Sequence, residues 1–233
     1  LAKNTFQAEG APGPLGIGDL ESGFGPQQVK VYGTARGNVL GVHAGYAFDL
    51  GDPQTLGDPV AALVTAAAGR GSQLAAGARA AAGDWLLFLH ADTRLEADWH
   101  VAVRRFIDDP ANRRRAGYFR FQLDDNRWQA RLMARIVAWR ARLLGLPYGD
   151  QGLLIASVHY REIGGFKPLN LMEDVDLVRR IGARNLAPLP ASAVTSADRY
   201  RRDGFVLRPL RNLCCLALYY LGAPPAMIAR LYA

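Results

Sequence analysis

Four groups of residues in this 233-residue chain have the types and spacing that chemistry needs. The first is Met172-Glu173-Asp174-Val175-Asp176, three carboxylates within four positions. Like charges this close raise one another's pKa, which suits one of them to accept a proton near neutrality. The alternative is that they open a helix, whose dipole stabilises them there. The second group is His90-Ala91-Asp92-Thr93, directly after an apolar run. In open α/β sheets ligands bind at the carboxyl ends of strands, and a carboxylate there can hold a hard divalent cation that clamps a diphosphate. The competing reading is that Asp92 caps the following turn. The third group, Pro147-Tyr148-Gly149-Asp150-Gln151-Gly152, sets an Asp-Gln pair between glycines, as a close backbone approach requires. The fourth, Arg199-Tyr200-Arg201-Arg202, reads either as a solvated face or as an anion clamp. Gly13, Gly16 and Gly18 are not a dinucleotide fingerprint, because they follow no strand and precede no helix.

The elements that must position these groups become firm from Pro59 onward. Val60–Thr65 is a short β-rich run, and Ser72–Ala82 reads as a small-residue helix with Ser72 as its N-cap. Trp85–His90 is a continuous apolar strand of the kind buried on both faces. A helix, a tight glycine turn and a buried strand make an α/β unit, so the fold class is α/β. Further helices are expected at Asp98–Phe106, Ser157–Ile163 (closed by Gly164-Gly165) and Met172–Ile181. Ala116–Leu123 alternates as a half-exposed strand does, and Leu146–Ile155 is a loop running into a strand. Asn126–Leu144 is the clearest amphipathic helix, with Trp128, Leu132, Ile136, Trp139 and Leu143 on one stripe and Arg131, Arg135 and Arg142 off it. Arg208–Leu221 is a final apolar helix that belongs either to the core or to a membrane interface. Upstream, residues 1–28 read as Gly/Pro-rich loop, while Gln28–Thr34 and Val39–Leu50 alternate weakly as strands of a hairpin do.

Composition narrows the classes. Half the residues are hydrophobic and 21% are charged, the balance of a globular protein rather than a disordered one. The net charge of +7 is uneven: residues 1–60 carry −3 and 12 of the 25 glycines, and the remainder carries +10. The longest apolar stretch, from Leu213 to Ala223, is too short to span a bilayer, and no secretory signal opens the chain. Cys214 and Cys215, adjacent in an apolar run, are expected as two buried thiols in a reducing compartment. The expected location is therefore the cytoplasm, with the inner face of the cytoplasmic membrane as a docking place. The basic residues are almost all arginine, scattered rather than clustered with aromatics, which favours an anionic small molecule over nucleic acid.

The order of the motifs says more than any one of them. G-R-G-S-Q-L-A-A-G-A, W-L-L-F-L-H-A-D-T, P-Y-G-D-Q-G-L, I-G-G-F and M-E-D-V-D-L occur in register and closely resemble family-2 glycosyltransferases of the GT-A fold. Among these they are most similar to the bacterial subgroup described as transferase 2, radical-SAM/selenium-domain associated. The resemblance covers residues 59–233. It implies a Rossmann-like nucleotide-diphospho-sugar transferase, a mixed sheet flanked by helices. His90-Ala91-Asp92 falls at the family's D-x-D motif, which makes Asp92 the ligand of Mn²⁺ or Mg²⁺ and of the diphosphate, with His90 in place of the first carboxylate. Arg70 and Gln73 match the segment that approaches the nucleotide, and Asp150 and Gln151 the substrate-binding P-Y-G-D-Q-G stretch. Glu173-Asp174 matches the E-D pair, with Asp174 the base that deprotonates the acceptor hydroxyl. Ser196-Ala197-Asp198-Arg199-Tyr200 is similar to Q-x-x-R-W of processive relatives but has Ser and Tyr for Gln and Trp, so Arg199 is a diphosphate contact without processivity. The implied partners are a nucleoside-diphosphate sugar and an acceptor hydroxyl, with a lipid-linked acceptor and membrane contact through residues 208–221 compatible with both. An impaired glycosyltransferase-like protein and a nucleic-acid-binding protein are the rival readings.

Residues 1–58 depart from this pattern: neither V-V-I-P-T-x-N-E nor D-G-G-S-x-D-G-T, which hold the nucleotide in relatives, is present. The expectation is an atypical segment, divergent or poorly ordered, translated in a shifted frame that ends near residue 58. Reading the other two frames of the gene upstream of the Asp58 codon is expected to show both motifs, and their absence from both frames sinks that reading.

Overall fold

The structure, a computed structural model, describes residues 27–33, 39–43, 60–66, 69–81, 83–90, 93–96, 99–169 and 171–232. Three strands come first: β1 (Gln27–Gly33), β2 (Val39–His43) and β3 (Val60–Ala66). Helix α1 (Arg70–Ala80) leads to β4 (Trp85–Leu89) and the short β5 (Thr93–Leu95). Then follow α2 (Trp99–Asp108), β6 (Ala116–Leu123), α3 (Trp128–Leu144), β7 (Leu153–Ala156) and α4 (Ser157–Glu162). The chain continues through α5 (Glu173–Ile181), β8 (Leu186–Thr195), α6 (Asp198–Asp203), α7 (Leu207–Tyr220) and α8 (Pro225–Tyr232). All eight strands join one mixed sheet in the order β3-β1-β2-β4-β7-β6-β8-β5. The class is therefore α/β, as expected.

Strand β4 is the centre of the molecule. All five of its residues are buried, and they alternate between two cores. Leu86 and Phe88 pack with Leu74 of α1, Tyr160 of α4, Phe166 and the α5 residues Leu177 and Val178. Trp85, Leu87 and Leu89 pack with Val103 and Phe106 of α2, Phe119 of β6 and Leu189 of β8. A two-residue period with apolar residues on both faces needs helices on both faces, and the sequence supplies them. β4 runs parallel to β2, and β3 also runs parallel to β2 through two antiparallel pairings with β1. β3-α1-β4 is thus a crossover between parallel strands, which puts the start of α1 and the residue after β4 at the same edge of the sheet.

Several expectations change. The N-cap of α1 is Gly69, not Ser72, and no side chain caps the helix. Its first turn is tied instead by backbone: Gly71 N–H donates to the Leu169 carbonyl at 3.0 Å. A Cβ on Gly71 would sit 2.1 Å from the Lys167 carbonyl oxygen, so only glycine allows this approach. The glycine of the Asp-Gln motif is likewise explained by packing, since a Cβ on Gly152 would meet the Leu89 and Phe119 side chains at 2.8 and 3.1 Å. Strand β6 is buried at its first four residues and alternates only afterwards. Cys215 is buried but Cys214 is exposed.

Helix α3 forms where the amphipathic pattern places it, and the structure adds which side is inward. Its buried residues are Ala130, Met133, Val137 and Ala141, and the Trp128–Leu143 stripe faces outward. Small residues let the helix come close to Phe121 and Leu123 of β6, which the larger stripe would hold off. Helix α7 shows only Arg208 and Cys215 buried, so the final apolar helix is mostly not core. No helix among the described residues is long and apolar enough to cross a membrane. Gly71→Ala is expected to lower stability by about 1–3 kcal/mol through overpacking at an unyielding backbone, read from thermal or urea unfolding.

Candidate functional site

Three of the sequence motifs meet at the shared edge of the sheet. Arg70 opens α1, His90 follows β4, and Glu173-Asp174 opens α5. One ligating atom from each of His90, Glu173 and Asp174 lies within 4.8 Å of the others. Arg70 joins them: its Nη2 donates to His90 Nε2 at 2.8 Å, and its Nε lies 2.9 Å from Glu173 Oε1. The second contact is an ion pair rather than an aligned hydrogen bond. Because a guanidinium only donates, His90 Nε2 is an acceptor here and the ring proton belongs on Nδ1.

Glu173 has no exposed surface. Burial pushes its carboxyl up to about 7, with Arg70 pulling it down and the neighbouring Asp174 pushing it further up. Asp174 is half-buried, and its Oδ1 accepts from the Val175 N–H at 2.8 Å. Asp176 belongs to a different arrangement. Burial raises its pKa, but hydrogen bonds from Lys167 and Arg180 at 2.9 and 2.6 Å outweigh that and hold it below its ordinary value. The residue before the cluster, Met172, takes a left-handed backbone at φ 64°, an arrangement that costs about 1 kcal/mol or more outside glycine.

A small pocket of about 20 Å³, room for roughly one water molecule, adjoins this group. Its wall is apolar, from Leu74, Phe88 and Val178 among others, and His90, Tyr148 and Asp174 are the polar residues on it. Tyr148 was not singled out from the sequence. Burial pushes its hydroxyl up to about 12 against the opposing pull of Arg140, whose guanidinium lies 3.5 Å from the ring centroid. The only sequence signal for Tyr148 was its place inside the Pro147–Gly152 motif.

The other expected site residues fall as follows. Gln73 is buried on α1, one turn from Arg70. Gln151 is buried and its side-chain amide donates to the Phe119 carbonyl at 3.1 Å, so it ties the turn to the sheet. Asp150 is half-buried in the same turn, and its carbonyl accepts from Thr195 Oγ1 at 3.3 Å. Arg199 is exposed on α6. Its neighbour Arg201 clasps Asp198 and Asp125 at 2.7 and 3.2 Å, and Arg202 pairs with Asp203 at 2.9 Å, so the basic run is in part a structural clasp. Asp92 lies outside the described residues, as do most of residues 1–58.

The His90-Glu173-Asp174 trio does not fit a divalent cation as arranged, because Arg70 already places a permanent positive charge on two of its three donors. No family model matches the chain, and no curated protein matches it.

The raised carboxyl of Glu173 has a consequence for stability. Between its ordinary value of 4.5 and about 7, the unfolded chain releases the proton while the folded chain keeps it. Stability contributed at this position is therefore present at acid pH and lost as pH rises through that window. Replacing Glu173 by Gln removes the titration, so the stability of the variant relative to the parent is expected to rise by on the order of 3 kcal/mol between pH 4.5 and 7.5. Urea midpoints across that range check it, and parallel curves for the two proteins refute the assignment.

Proposed function

We propose that this chain is an inverting glycosyltransferase of the GT-A fold, moving a sugar from a nucleoside diphosphate to an acceptor hydroxyl. The observation that carries the reading is the convergence of Arg70, His90 and Glu173-Asp174 at the carboxyl edge of β3 and β4. Residues from three motifs far apart in sequence meet where parallel strands end, the place such sheets use for ligands.

In this reading the acceptor oxygen attacks the anomeric carbon as Asp174 takes its proton, and the bond from that carbon to the diphosphate oxygen breaks with the electron pair leaving on the diphosphate. Asp174 suits the base because, unlike Glu173, its carboxylate is not wholly buried and it lines the pocket. Glu173 is a positioning residue: it holds Arg70, and Arg70 in turn holds His90. Arg70 is part-exposed, so its positive charge can serve an incoming phosphate as well as the buried carboxylate. Mn²⁺ or Mg²⁺ belongs to this reading through Asp92, and when bound would neutralise charge on the leaving diphosphate. The lack of both nucleotide-holding motifs in residues 1–58 favours one second reading, a glycosyltransferase-like protein that binds donor poorly. Calorimetry with UDP- and GDP-sugars, with and without Mn²⁺, separates the two.

Asp174→Asn is expected to lower sugar transfer by about 10²–10⁴-fold while leaving donor affinity nearly unchanged. Loss of donor binding in that variant overturns the assignment of Asp174 as base.

A further inference from the structure

Helix α3 presents to solvent the face that a sequence of this kind normally hides. Trp128 and Trp139 are 63% and 58% exposed, and Leu132, Ile136 and Leu143 between and beyond them are exposed as well. At 100° per residue these five fall within one 80° sector, a stripe about 22 Å long. Contiguous apolar surface of this extent on a folded domain marks an interaction face. The opposite side of the helix, Ala130, Met133, Val137 and Ala141, is already packed on the sheet, so the stripe is not a second core.

Charge decides the occupant. Arg131, Arg135 and Arg142 are all exposed and form a rail along one flank of the stripe. Residues 127–144 hold five arginines and no acidic residue. A second copy packed on this face would bring arginine to arginine and find no carboxylate on the helix to neutralise it. A surface that is apolar inside and negative at its boundary fits both features, with tryptophans at the depth where their amphipathic rings belong. The apolar surface continues beside the N-terminal end of α3: Arg127 lies 5.1 Å over the Phe205 ring, and the next residues, Val206 and Leu207, are 75% and 70% exposed. At the other end Arg140 stacks on Tyr148, which lines the pocket next to Asp174.

We infer that α3 is an interfacial helix that docks this protein on an anionic lipid bilayer, with Trp128 and Trp139 buried among the headgroups and the arginine rail on the lipid phosphates. The inference stands on the exposed helix face and holds whether or not the domain transfers sugars.

Flotation of the full chain with phosphatidylcholine vesicles and with vesicles containing phosphatidylglycerol tests it. Binding to the anionic vesicles, at least tenfold weaker on neutral ones, is expected, with a blue shift of tryptophan emission. Trp128→Ser/Trp139→Ser is expected to abolish the blue shift and weaken binding at least tenfold. Arg131→Glu/Arg135→Glu/Arg142→Glu is expected to remove the preference for anionic lipid. All five positions are exposed, so melting temperatures close to the parent's are expected and serve as the control. Failure of the parent to float with anionic vesicles overturns the inference, as does unchanged binding by the tryptophan variant. So does a concentration-dependent dimer in sedimentation that the tryptophan variant abolishes while vesicle binding is absent.

Discussion

A carboxylate with no exposed surface is the constraint around which the site is organised. Taking the Glu173 charge out of water costs several kcal/mol, and Arg70 offsets part of that cost while burial still holds the carboxyl up to about 7. Arg70 reaches it only because α1 begins against the loop that precedes α5, with Gly71 touching the carbonyls of Lys167 and Leu169. The same arginine fixes the acceptor nitrogen of His90. One guanidinium thus couples the starts of two helices to the end of the central strand. It also explains why a histidine suits this position: a second carboxylate there would compete with Glu173 for the same cation.

Much of the architecture was legible because it depends on local chemistry. The run Trp85–Leu89 is continuously apolar, which reads as a strand buried on both faces, and that is what the sheet contains. What the sequence left open was decided by tertiary contacts. An apolar stripe on α3 shows which side is apolar, not which side is inward, and the sheet took the side with the smaller residues. Strand β8 went unread because Leu186–Thr195 carries Pro188 and Pro190, residues that argue against a central strand. Both prolines are exposed, and the parallel pairing with β6 shifts register in that region, which is how the sheet tolerates them.

The site was legible in parts and not as a whole. The carboxylates, the histidine and the arginine could each be noticed, but nothing in spacing alone places Arg70 beside Glu173; only the resemblance put them in one site. The division of labour among the acidic residues was also hidden. Asp176 is held by Lys167 and Arg180, Glu173 by Arg70, and Asp174 alone faces the pocket, distinctions that need the helix to be folded against its neighbours. Tyr148 lines that pocket and stacks with Arg140, so the pocket beside Asp174 is in contact with helix α3.

Strand β5 has one partner in the sheet, β8, and the Thr93 and Thr195 hydroxyls lie 2.9 Å apart across 102 residues of chain. On the ribosome, at about 5–20 residues per second, the segment that follows His90 must wait roughly 5–20 s for that partner to emerge. The β5 edge of the sheet is therefore among the last parts of the molecule to be fixed during synthesis. A nascent chain arrested before β8 would leave β6 as an unpaired sheet edge and the core around Trp85 and Phe119 without Leu189, the kind of species on which chaperones act.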